Sequence, residues 1–592
     1  MKDAASLERL LRERIGTEMA LRANRSDEEI EHHISSGDDV EARGDLLYLT
    51  APAHLPARAE RLLSRIDARV AASSLEEKTR LLRFLTYFSV DLATLVPWWV
   101  VPKTLHRLEL AEVHRTAMER LESVAAREPA AERALLGRLQ ADALARLRAE
   151  GIGDEAQAAR LASELTGGGL VEFARSSIRE ALASNLTTAA KARLDGRLET
   201  EIGNDYAAFL PHAMWHGTSF ATTNPVLIKL AWDVDPEYWN AQVDATIASH
   251  FSQRELTALL SGPAHALTDA VEALDQWVTV SVVERNCRLL RPLFLATEGA
   301  HGYVSLQVNP DAHGDAERMV HDATIIYEEL ERGLGGVPNV VIKVPSTAAG
   351  LQAAQRLTAR GIGVTVTLTF SLFQALRFAE VLNAGHALVS YIAIMNGRLA
   401  FPVRDELARE GVPGGAEAAR WAGVEIARKA NRMIYSPAEG GGLGVDSRRV
   451  KIMIASLRIY DDWIPDLSEL WGVPLVTVFP NVRRAYDGRE RPLRVDAIGG
   501  RTPDEDLRVM MKSEIFRQAW WTERDGPIGK PNRPLSLDPL DDAAVANWAP
   551  VRETLTQFIS TFSQMSEMVR DRMTAVCGPP SSVPSRSDAA AG

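Results

Sequence analysis

Residues 339–370 read NVVIKVPSTAAGLQAAQRLTARGIGVTVTLTF, in which two β-branched runs enclose an amphipathic segment. The runs NVVIKVP and GVTVTLTF have the composition of buried strands, and the segment between them has the apolar spacing of a helix. A strand, a helix and a second strand in this order predict a parallel βαβ unit. We therefore expect similar units on both sides of this stretch.

Similar β-branched runs recur from about residue 195 onward. The clear ones are GTSFATT (217–223), YVSLQV (303–308), ALVSYIAIM (387–395), VKIMIAS (450–456) and LVTVFP (475–480). A weaker run, LETEI (198–202), brings the total to eight. Eight strands that alternate with helices predict an α/β fold of the closed (β/α)8 TIM-barrel type, whose chemistry lies at the C-terminal ends of the strands.

The first part of the chain has a different composition and a different apolar pattern. It is rich in Ala, Leu, Arg and Glu, and apolar residues recur at helical spacing, as in residues 135–147. Glycines at 151–153 and 167–169 interrupt the pattern, and Ser74 has the position of a helix cap. These signals predict several separate helices and argue against one long coiled coil.

The domain organisation predicted from these sequence patterns has three parts. Residues 1–190 form an all-α N-terminal region of unknown role, and residues 195–575 form the barrel with its C-terminal helices. One of those helices is expected from about Val545 to Met573. The tail, residues 576–592, is rich in Ser, Pro and Ala and is expected to be disordered, because its composition cannot bury a core.

The overall composition limits the classes of partner. The chain has 592 residues, with 67 basic and 79 acidic side chains and a net charge of −12. This sign disfavours binding to nucleic acid or to an anionic membrane through net charge, so a small-molecule partner is expected. The only cysteines, Cys287 and Cys577, are far apart in sequence and indicate neither a disulfide framework nor a thiolate metal site. No signal peptide is recognised at the N-terminus, and a cytoplasmic location is expected.

Lys343 is the residue with the clearest chemical signal. It lies inside an apolar run, between Ile342 and Val344. Partial desolvation lowers the pKa of a lysine and leaves the neutral amine available as a nucleophile, which indicates Schiff-base chemistry. The alternative is a lysine at a strand end that points to solvent or pairs with a carboxylate.

Several segments in order resemble the transaldolase family. They are ATTNPVLIKLA (221–231), YVSLQV with the following MVHDATIIYEEL (319–330), residues 339–380, KIMIASLR (451–458), LVTVFPNVRRAYD (475–487), SEIFRQAWW (513–521) and LTQFISTFSQMSEMVRD (555–571). The resemblance covers about residues 198–575, with an unusually long segment between Trp232 and Ala300. It does not account for the N-terminal region.

The resemblance implies roles for individual residues near the reacting atoms. Lys343 matches the Schiff-base lysine at the end of the fourth strand. Asn224 is similar to the asparagine that binds substrate hydroxyls, and its alternative role is a helix N-cap. Thr367 matches the threonine that holds the catalytic water, and its alternative role is strand packing. Asp205 is the nearest candidate for the general-base aspartate, although the flanking GND is poor strand sequence.

The resemblance also implies a phosphate site after the sixth and seventh strands. Ser456 and Arg458 match the residues that receive the substrate phosphate, and Arg398 resembles the second phosphate arginine. A guanidinium can bind phosphate through two parallel hydrogen bonds, and barrels commonly bind phosphate near strands seven and eight. A plain surface ion pair is the alternative for Arg398.

Two departures from the family pattern bear on the reaction type. Gln307 stands where transaldolases carry a glutamate that moves protons through the bound water, and an amide cannot exchange a proton at neutral pH. Glutamine at this position is similar to the fructose 6-phosphate aldolase branch of the family. SYIAIMNGR does not align cleanly with the family's serine-aromatic segment, so Ser390 and Tyr391 remain unassigned.

The function implied is a transaldolase-like transferase. It would form a Schiff base with a ketose, expected to be a sugar phosphate, and transfer or release a dihydroxyacetone-type unit without a cofactor. The alternatives are a fructose 6-phosphate aldolase-like lyase and a catalytically weak barrel that serves as a binding module. The Gly-rich stretch EGGGLGVDS (439–447) lacks GK[ST] and indicates a loop, and the histidines show no metal-ligand spacing that would predict a metal site. Assembly into homo-oligomers is left open.

Overall fold

A computed structural model describes residues 4–100, 107–522 and 530–577. Its centre is a closed barrel of parallel strands in the order β1 to β8, with β1 paired to β8. The strands are β1 Glu201–Asn204, β2 Thr218–Thr222, β3 Tyr303–Gln307, β4 Val340–Pro345, β5 Val364–Thr369, β6 Ser390–Met395, β7 Val450–Ala455 and β8 Leu475–Val478. The predicted TIM barrel is confirmed.

The first strand lies slightly later in the chain than the weak run LETEI suggested. It includes Gly203 and Asn204, so Asp205 follows its last residue directly. Gly203 is required by close packing, since a Cβ atom there would lie 2.9 Å from Thr477 Cγ2 and 3.1 Å from Phe220 Cδ1. The polar GN sequence therefore belongs to a strand for reasons of packing, which local strand propensity does not report.

Helices surround the barrel and fill the connections between strands. They are α11 Leu210–Trp215, α12 Pro225–Val234, α13 Pro236–His250, α14 Gln253–Ser261, α15 Ala264–Ala296, α16 Ala316–Leu334, α17 Ala348–Thr358, α18 Leu372–Ala384, α19 Asn396–Arg409, α20 Gly415–Ala419, α21 Ala422–Tyr435, α22 Pro465–Ser468, α23 Pro480–Asp487, α24 Asp504–Met510, α25 Glu514–Trp520, α26 Asp542–Asn547 and α27 Ala549–Cys577. The long segment between Trp232 and Ala300 consists mostly of α13, α14 and α15.

The C-terminal helix differs from its prediction. The expected single helix from Val545 to Met573 is two helices, α26 and α27, which meet at the extended residue Trp548. Pro550 explains the break, because a proline inside a continuous helix would clash with the carbonyl group four residues earlier. Leu555 and Phe558 of α27 line a cavity together with Lys343, so this helix covers part of the C-terminal mouth of the barrel. Residues 578–592 of the predicted tail lie outside the described residues.

The N-terminal region is all-helical, as predicted. Its helices are α1 Ala4–Ala23, α2 Asp27–Ser36, α3 Asp39–Gly44, α4 Leu55–Val70, α5 Leu75–Ala93, α6 Arg107–Arg127, α7 Pro129–Ala149, α8 Glu155–Thr166, α9 Gly169–Ala183 and α10 Asn185–Leu194. Ser74 caps α5 by accepting a hydrogen bond from the Glu77 amide.

This region packs directly on the barrel. Arg291 of α15 donates Nε to Glu18 Oε1 at 2.7 Å, and Trp215 of α11 donates Nε1 to Asp91 at 2.8 Å. Gly44 lies against Pro292, where a Cβ atom would approach within 2.2 Å of the proline ring. The two parts of the chain therefore share a close-packed boundary. Among the described residues, no helix has the length and apolar character needed to cross a membrane.

Candidate active site

Lys343 lies inside the barrel near the C-terminal end of β4. Its side chain is buried, and Nζ donates to Thr222 Oγ1 and to the carbonyl oxygen of Thr223, both at 3.3 Å. Burial lowers the pKa of Lys343 to about 8, against the opposing attraction of Asp205. The nearby Arg398 charge contributes to this lowering. The predicted desolvated amine is thus present in the structure, and it does not point to solvent.

The barrel interior contains a second buried lysine with a different environment. Lys451, near the start of β7, donates to Glu201 Oε2 at 2.9 Å. Glu201 also accepts from Ser219 at 2.6 Å and lies 3.1 Å from His301 Nδ1. This ion pair lies at the N-terminal end of the barrel. Among the described residues Lys343 forms no such ion pair, and its burial favours the neutral amine.

Asp205 lies close enough to Lys343 to affect its pKa, although β1 and β4 are not neighbours in the sheet. Its backbone amide donates to the carbonyl oxygen of Val478 at 3.1 Å, which fixes the residue at the end of β1. Its carboxylate accepts a hydrogen bond from the Ser456 amide. Burial raises the pKa of Asp205, and the charges of Lys343, Arg398 and Arg458 act against this rise. The structure therefore brings the predicted base to the predicted nucleophile.

Gln307 and Thr367 flank the lysine on the two neighbouring strands. Gln307 is paired with Lys343 in the register of β3 and β4, and Thr367 is paired with Pro345. Gln307 Oε1 is buried without a hydrogen-bond partner, and the Thr367 hydroxyl has only Met395 Sδ, at 3.6 Å, as an acceptor. Both side chains line the cavity that contains Lys343. A buried acceptor without a partner beside a weakly held hydroxyl suits a bound water or a substrate oxygen.

Arg398 lies at the start of α19 and faces the C-terminal helix. Its Nη1 donates to Gln557 Oε1 at 2.6 Å, and its guanidinium lies 5.6 Å from the centroid of the Phe558 ring. The Arg398 Nε is buried without a partner. Burial and the nearby Arg458 lower the pKa of Arg398 to about 10. Its hydrogen-bond partner is a neutral amide, which does not match the surface ion pair considered as its alternative role.

Arg458 lies next to Arg398 in the loop after β7. Its Nη1 donates to the carbonyl oxygens of Ser456 and Leu457 at 3.2 and 3.1 Å, and its backbone amide donates to Asp466 Oδ2 at 2.9 Å. Ser456 has a φ of 61°, a left-handed conformation that costs energy for a residue other than glycine. Two guanidiniums near enough to influence each other electrostatically form a site suited to an anion.

In the structure, Asn224 has the helix N-cap role that was considered as its alternative. It is the N-cap of α12, and its Oδ1 accepts a hydrogen bond from the Leu227 amide at 3.0 Å. It follows Thr222 and Thr223, the two residues that contact Lys343. The cap leaves the amide Nδ2 as the donor that could serve a substrate.

The two unassigned residues of β6 lie away from this site. The Ser390 hydroxyl accepts a hydrogen bond from the Val364 amide, and Tyr391 packs against Phe220 with ring centroids 4.7 Å apart. Lys451 Nζ lies 5.8 Å from the Tyr391 ring centroid, which places this tyrosine toward the N-terminal end of the barrel.

Sequence reasoning missed several residues that support the site. Thr222 and Thr223 hold the Lys343 amine, and their adjacency to Asn224 in TTNP was the available signal. Gln557 and Asp466 contact the two arginines through tertiary packing, and no local motif marks them.

Comparison with known proteins agrees with this geometry. A family model described as transaldolase/fructose-6-phosphate aldolase matches residues 210–515, more than half of the chain. This chain belongs to the transaldolase/fructose-6-phosphate aldolase family. The match begins after Asp205 and excludes the helical N-terminal region, so family membership is a property of the barrel.

Curated relatives match shorter parts of the chain. The transaldolase of Thermobifida fusca is 39% identical over 115 residues, which cover 19% of this chain and 29% of the relative. The transaldolase of Thiobacillus denitrificans is 32% identical over 159 residues, covering 27% and 38%. Transaldolase 2 of a Nostoc species is 39% identical over 90 residues, covering 15% and 22%. The aligned part therefore spans less than two fifths of each of these relatives.

A cluster of metal-ligand residue types lies outside the barrel, contrary to the expectation from histidine spacing. His212 and His216 are four residues apart, and their ring nitrogens lie within 4.8 Å of each other and of a Glu180 carboxylate oxygen. However, Arg146 donates to Glu180 at 3.0 Å and Arg483 Nη1 lies 3.4 Å from His216 Nε2. Two guanidiniums in contact with the ligand atoms disfavour a cation at this cluster. It is better described as an ion-pair network between the helical region and the barrel.

Proposed function

We propose that this protein catalyses aldol chemistry on a ketose through a Schiff base at Lys343. The observation that carries the proposal is a buried lysine with a lowered pKa beside a carboxylate, in a cavity at the C-terminal mouth of the barrel. With a pKa of about 8, about a tenth of the amine is neutral at pH 7, against roughly one part in three thousand for an ordinary lysine. The relatives named transaldolase and the family match support the same reaction class.

The first half of the proposed reaction forms the imine. The neutral Lys343 amine attacks the ketone carbon and gives a carbinolamine. The hydroxyl on that carbon then leaves as water after it takes up a proton, which leaves an iminium ion on Lys343. Thr367 and Gln307 would position the water that relays this proton, since both line the cavity beside the lysine.

The second half breaks the carbon–carbon bond. Asp205 takes the proton from the hydroxyl group on the far carbon of the scissile bond. That carbon becomes the aldehyde, which departs, and the bonding electrons move into the iminium to give an enamine. Asn224 Nδ2 would bind a substrate hydroxyl near these carbons. The enamine then either attacks an acceptor aldehyde, which is transfer, or takes a proton and is hydrolysed, which is cleavage.

The proposed substrate class is a phosphorylated ketose. Its carbonyl would lie at Lys343 and its phosphate at Arg398 and Arg458, with the Ser456 hydroxyl as a further donor. The buried Nε of Arg398, which lacks a partner, supports an anionic ligand at this position. A cleavage reaction of the fructose 6-phosphate aldolase type is the second candidate, and the observation that favours it is the amide of Gln307 in place of a carboxylic acid.

The direct test combines chemical trapping with product analysis. The full chain is incubated with a panel of ketose phosphates, with and without an aldose acceptor, and then treated with borohydride. We expect a mass increase that depends on the ketose, and a new sugar only when the acceptor is present. Release of dihydroxyacetone without transfer would favour the cleavage reaction. No mass increase with any ketose would reject the Schiff-base proposal and favour the binding module.

The pH dependence of kcat/KM should reveal the lowered pKa of Lys343. Because the neutral amine is the nucleophile, kcat/KM should rise with pH, with a midpoint near 8. Steady-state rates from about 2 pH units below to about 2 pH units above this midpoint, in buffers of constant ionic strength, would measure it. A midpoint near that of an ordinary lysine would contradict the proposal.

Restoring an acid at Gln307 should change the balance between transfer and cleavage. The substitution Gln307→Glu supplies a proton carrier beside the cavity, so the ratio of the two products should shift by several-fold toward transfer. The ratio is measured by quantifying both products at fixed donor and acceptor concentrations. Gln307→Met serves as the control, since it removes the amide without adding an acid. An unchanged ratio in an active Gln307→Glu enzyme would mean that this side chain does not reach the reacting water.

A further inference from the structure

A second cleft lies between the helical N-terminal region and the barrel. One wall comes from α5, α7, α8 and α9, and the other from α13, α15 and the residues that follow Asp205. None of the proposed catalytic residues lines it. Its ligand can therefore be considered independently of the aldol chemistry.

Opposite charges face each other across this cleft. Asp142 of α7 and Arg285 of α15 both line it, and both side chains are exposed. They influence each other electrostatically. Among the described residues, neither side chain takes part in an ion pair or a hydrogen bond. By contrast Arg288, in the next turn of α15, donates to Glu284 at 2.6 Å. An acid and a base that share a cleft without pairing are both free to bind a ligand.

Aromatic side chains form a large part of the cleft lining. They include the side chains of Tyr87, Phe173, Phe209, Trp215, Tyr238 and Trp239. The Arg285 guanidinium lies 5.0 Å from the centroid of the Tyr238 ring, an arrangement that holds it at the wall of the cleft. Such a lining suits a flat or apolar body, because burial of apolar surface stabilises the complex.

The backbone at the cleft is held in an unfavourable conformation. Phe209 has a φ of 57°, which is uncommon for a bulky residue and costs energy. Neighbouring contacts keep this segment in place: Asn286 Nδ2 donates to the carbonyl oxygen of Ala207 at 3.0 Å, and Asn204 Nδ2 donates to that of Ala208 at 3.2 Å. The surrounding structure therefore enforces the shape of the wall before any ligand arrives.

From these observations we infer that the cleft binds a small zwitterion with an aromatic or apolar body. Its cationic group would pair with Asp142 and its anionic group with Arg285, while its body would lie against the aromatic walls. A charge-assisted contact is stronger than a neutral one, so each of the two charges should contribute separately to affinity.

Calorimetric titration of the full chain tests this inference. The probes are phenylalanine, whose charges are adjacent, and 4-(aminomethyl)benzoate, whose charges lie at opposite ends of a ring. Benzylamine and 4-methylbenzoate are the singly charged comparisons. We expect at least one zwitterion to bind, and each singly charged compound to bind about tenfold or more weakly.

Two substitutions locate the binding in this cleft. Asp142→Asn should weaken binding of the zwitterion and of benzylamine by about tenfold or more and leave binding of 4-methylbenzoate unchanged. Arg285→Gln should weaken binding of the zwitterion and of 4-methylbenzoate and leave binding of benzylamine unchanged. Asp269→Asn and Arg254→Gln, at exposed positions outside the cleft, are the matched controls. Circular dichroism checks that each variant is folded. The inference is overturned if neither zwitterion binds, or if the cleft variants bind as the controls do.

Discussion

Replacing Lys343 with methionine is expected to abolish both reducible trapping and turnover. Methionine has a similar length and is apolar, so it suits the buried position while it removes the amine. Loss of the group that forms the covalent intermediate removes the entire pathway, and kcat should fall by at least about 10⁴-fold. Peptide mapping after borohydride reduction should place the added mass of the wild-type protein on Lys343.

Two other lysines make this prediction specific. Lys229→Met, on α12 near Asn224, is the matched control, because Lys229 forms an exposed ion pair with Asp233 and should be dispensable. Lys451 is the other buried lysine of the barrel interior, and we expect it to stay unmodified because its Nζ is held in an ion pair with Glu201. Added mass on Lys451 or Lys229, or trapping that survives in Lys343→Met, would refute the assignment of the nucleophile.

Removing the Arg458 guanidinium should impair the reaction of phosphorylated substrates and leave that of unphosphorylated ones almost unchanged. Charge-assisted hydrogen bonds contribute about 1.5 to 3 kcal/mol each, so Arg458→Ala should raise KM for a ketose phosphate by roughly ten- to a hundredfold. Dihydroxyacetone carries no phosphate, so the Arg458→Ala variant should use it almost as well as the wild-type enzyme does. Steady-state kinetics with both donors would measure the difference.

A neighbouring arginine provides the control for Arg458. Arg404 lies 4.9 Å from the centroid of the Phe401 ring, and Arg458 lies 5.1 Å from the same ring. Arg404 is exposed and pairs with Asp405, so Arg404→Ala should leave both substrates unaffected. Equal losses with both donors in Arg458→Ala would indicate a structural role. No loss with either would indicate that the natural substrate is not a sugar phosphate.

The barrel fold could be predicted from the sequence because the patterns that indicate its strands and helices are local and repeated. Seven of the β-branched runs lie where strands are found, and the alternation with helices requires a parallel arrangement. The boundary predicted from the weakest run, LETEI, was wrong, because Gly203 and Asn204 lack strand propensity. Contacts with Phe220 and Thr477 place Gly203 in the strand. The break at Trp548 was missed because the helical apolar pattern continues across Pro550.

The amino-acid sequence alone was enough to predict a barrel, a helical N-terminal region and a desolvated lysine in the fourth strand. Each of these depends on side-chain periodicity or on immediate neighbours. Closure of the barrel is needed to bring Asp205 to Lys343, and packing of α27 over the mouth is needed to bring Gln557 to Arg398. The cleft with Asp142 and Arg285 likewise joins residues 143 positions apart. Electrostatic effects such as a lowered lysine pKa act through space, so only the tertiary arrangement fixes which charges are near.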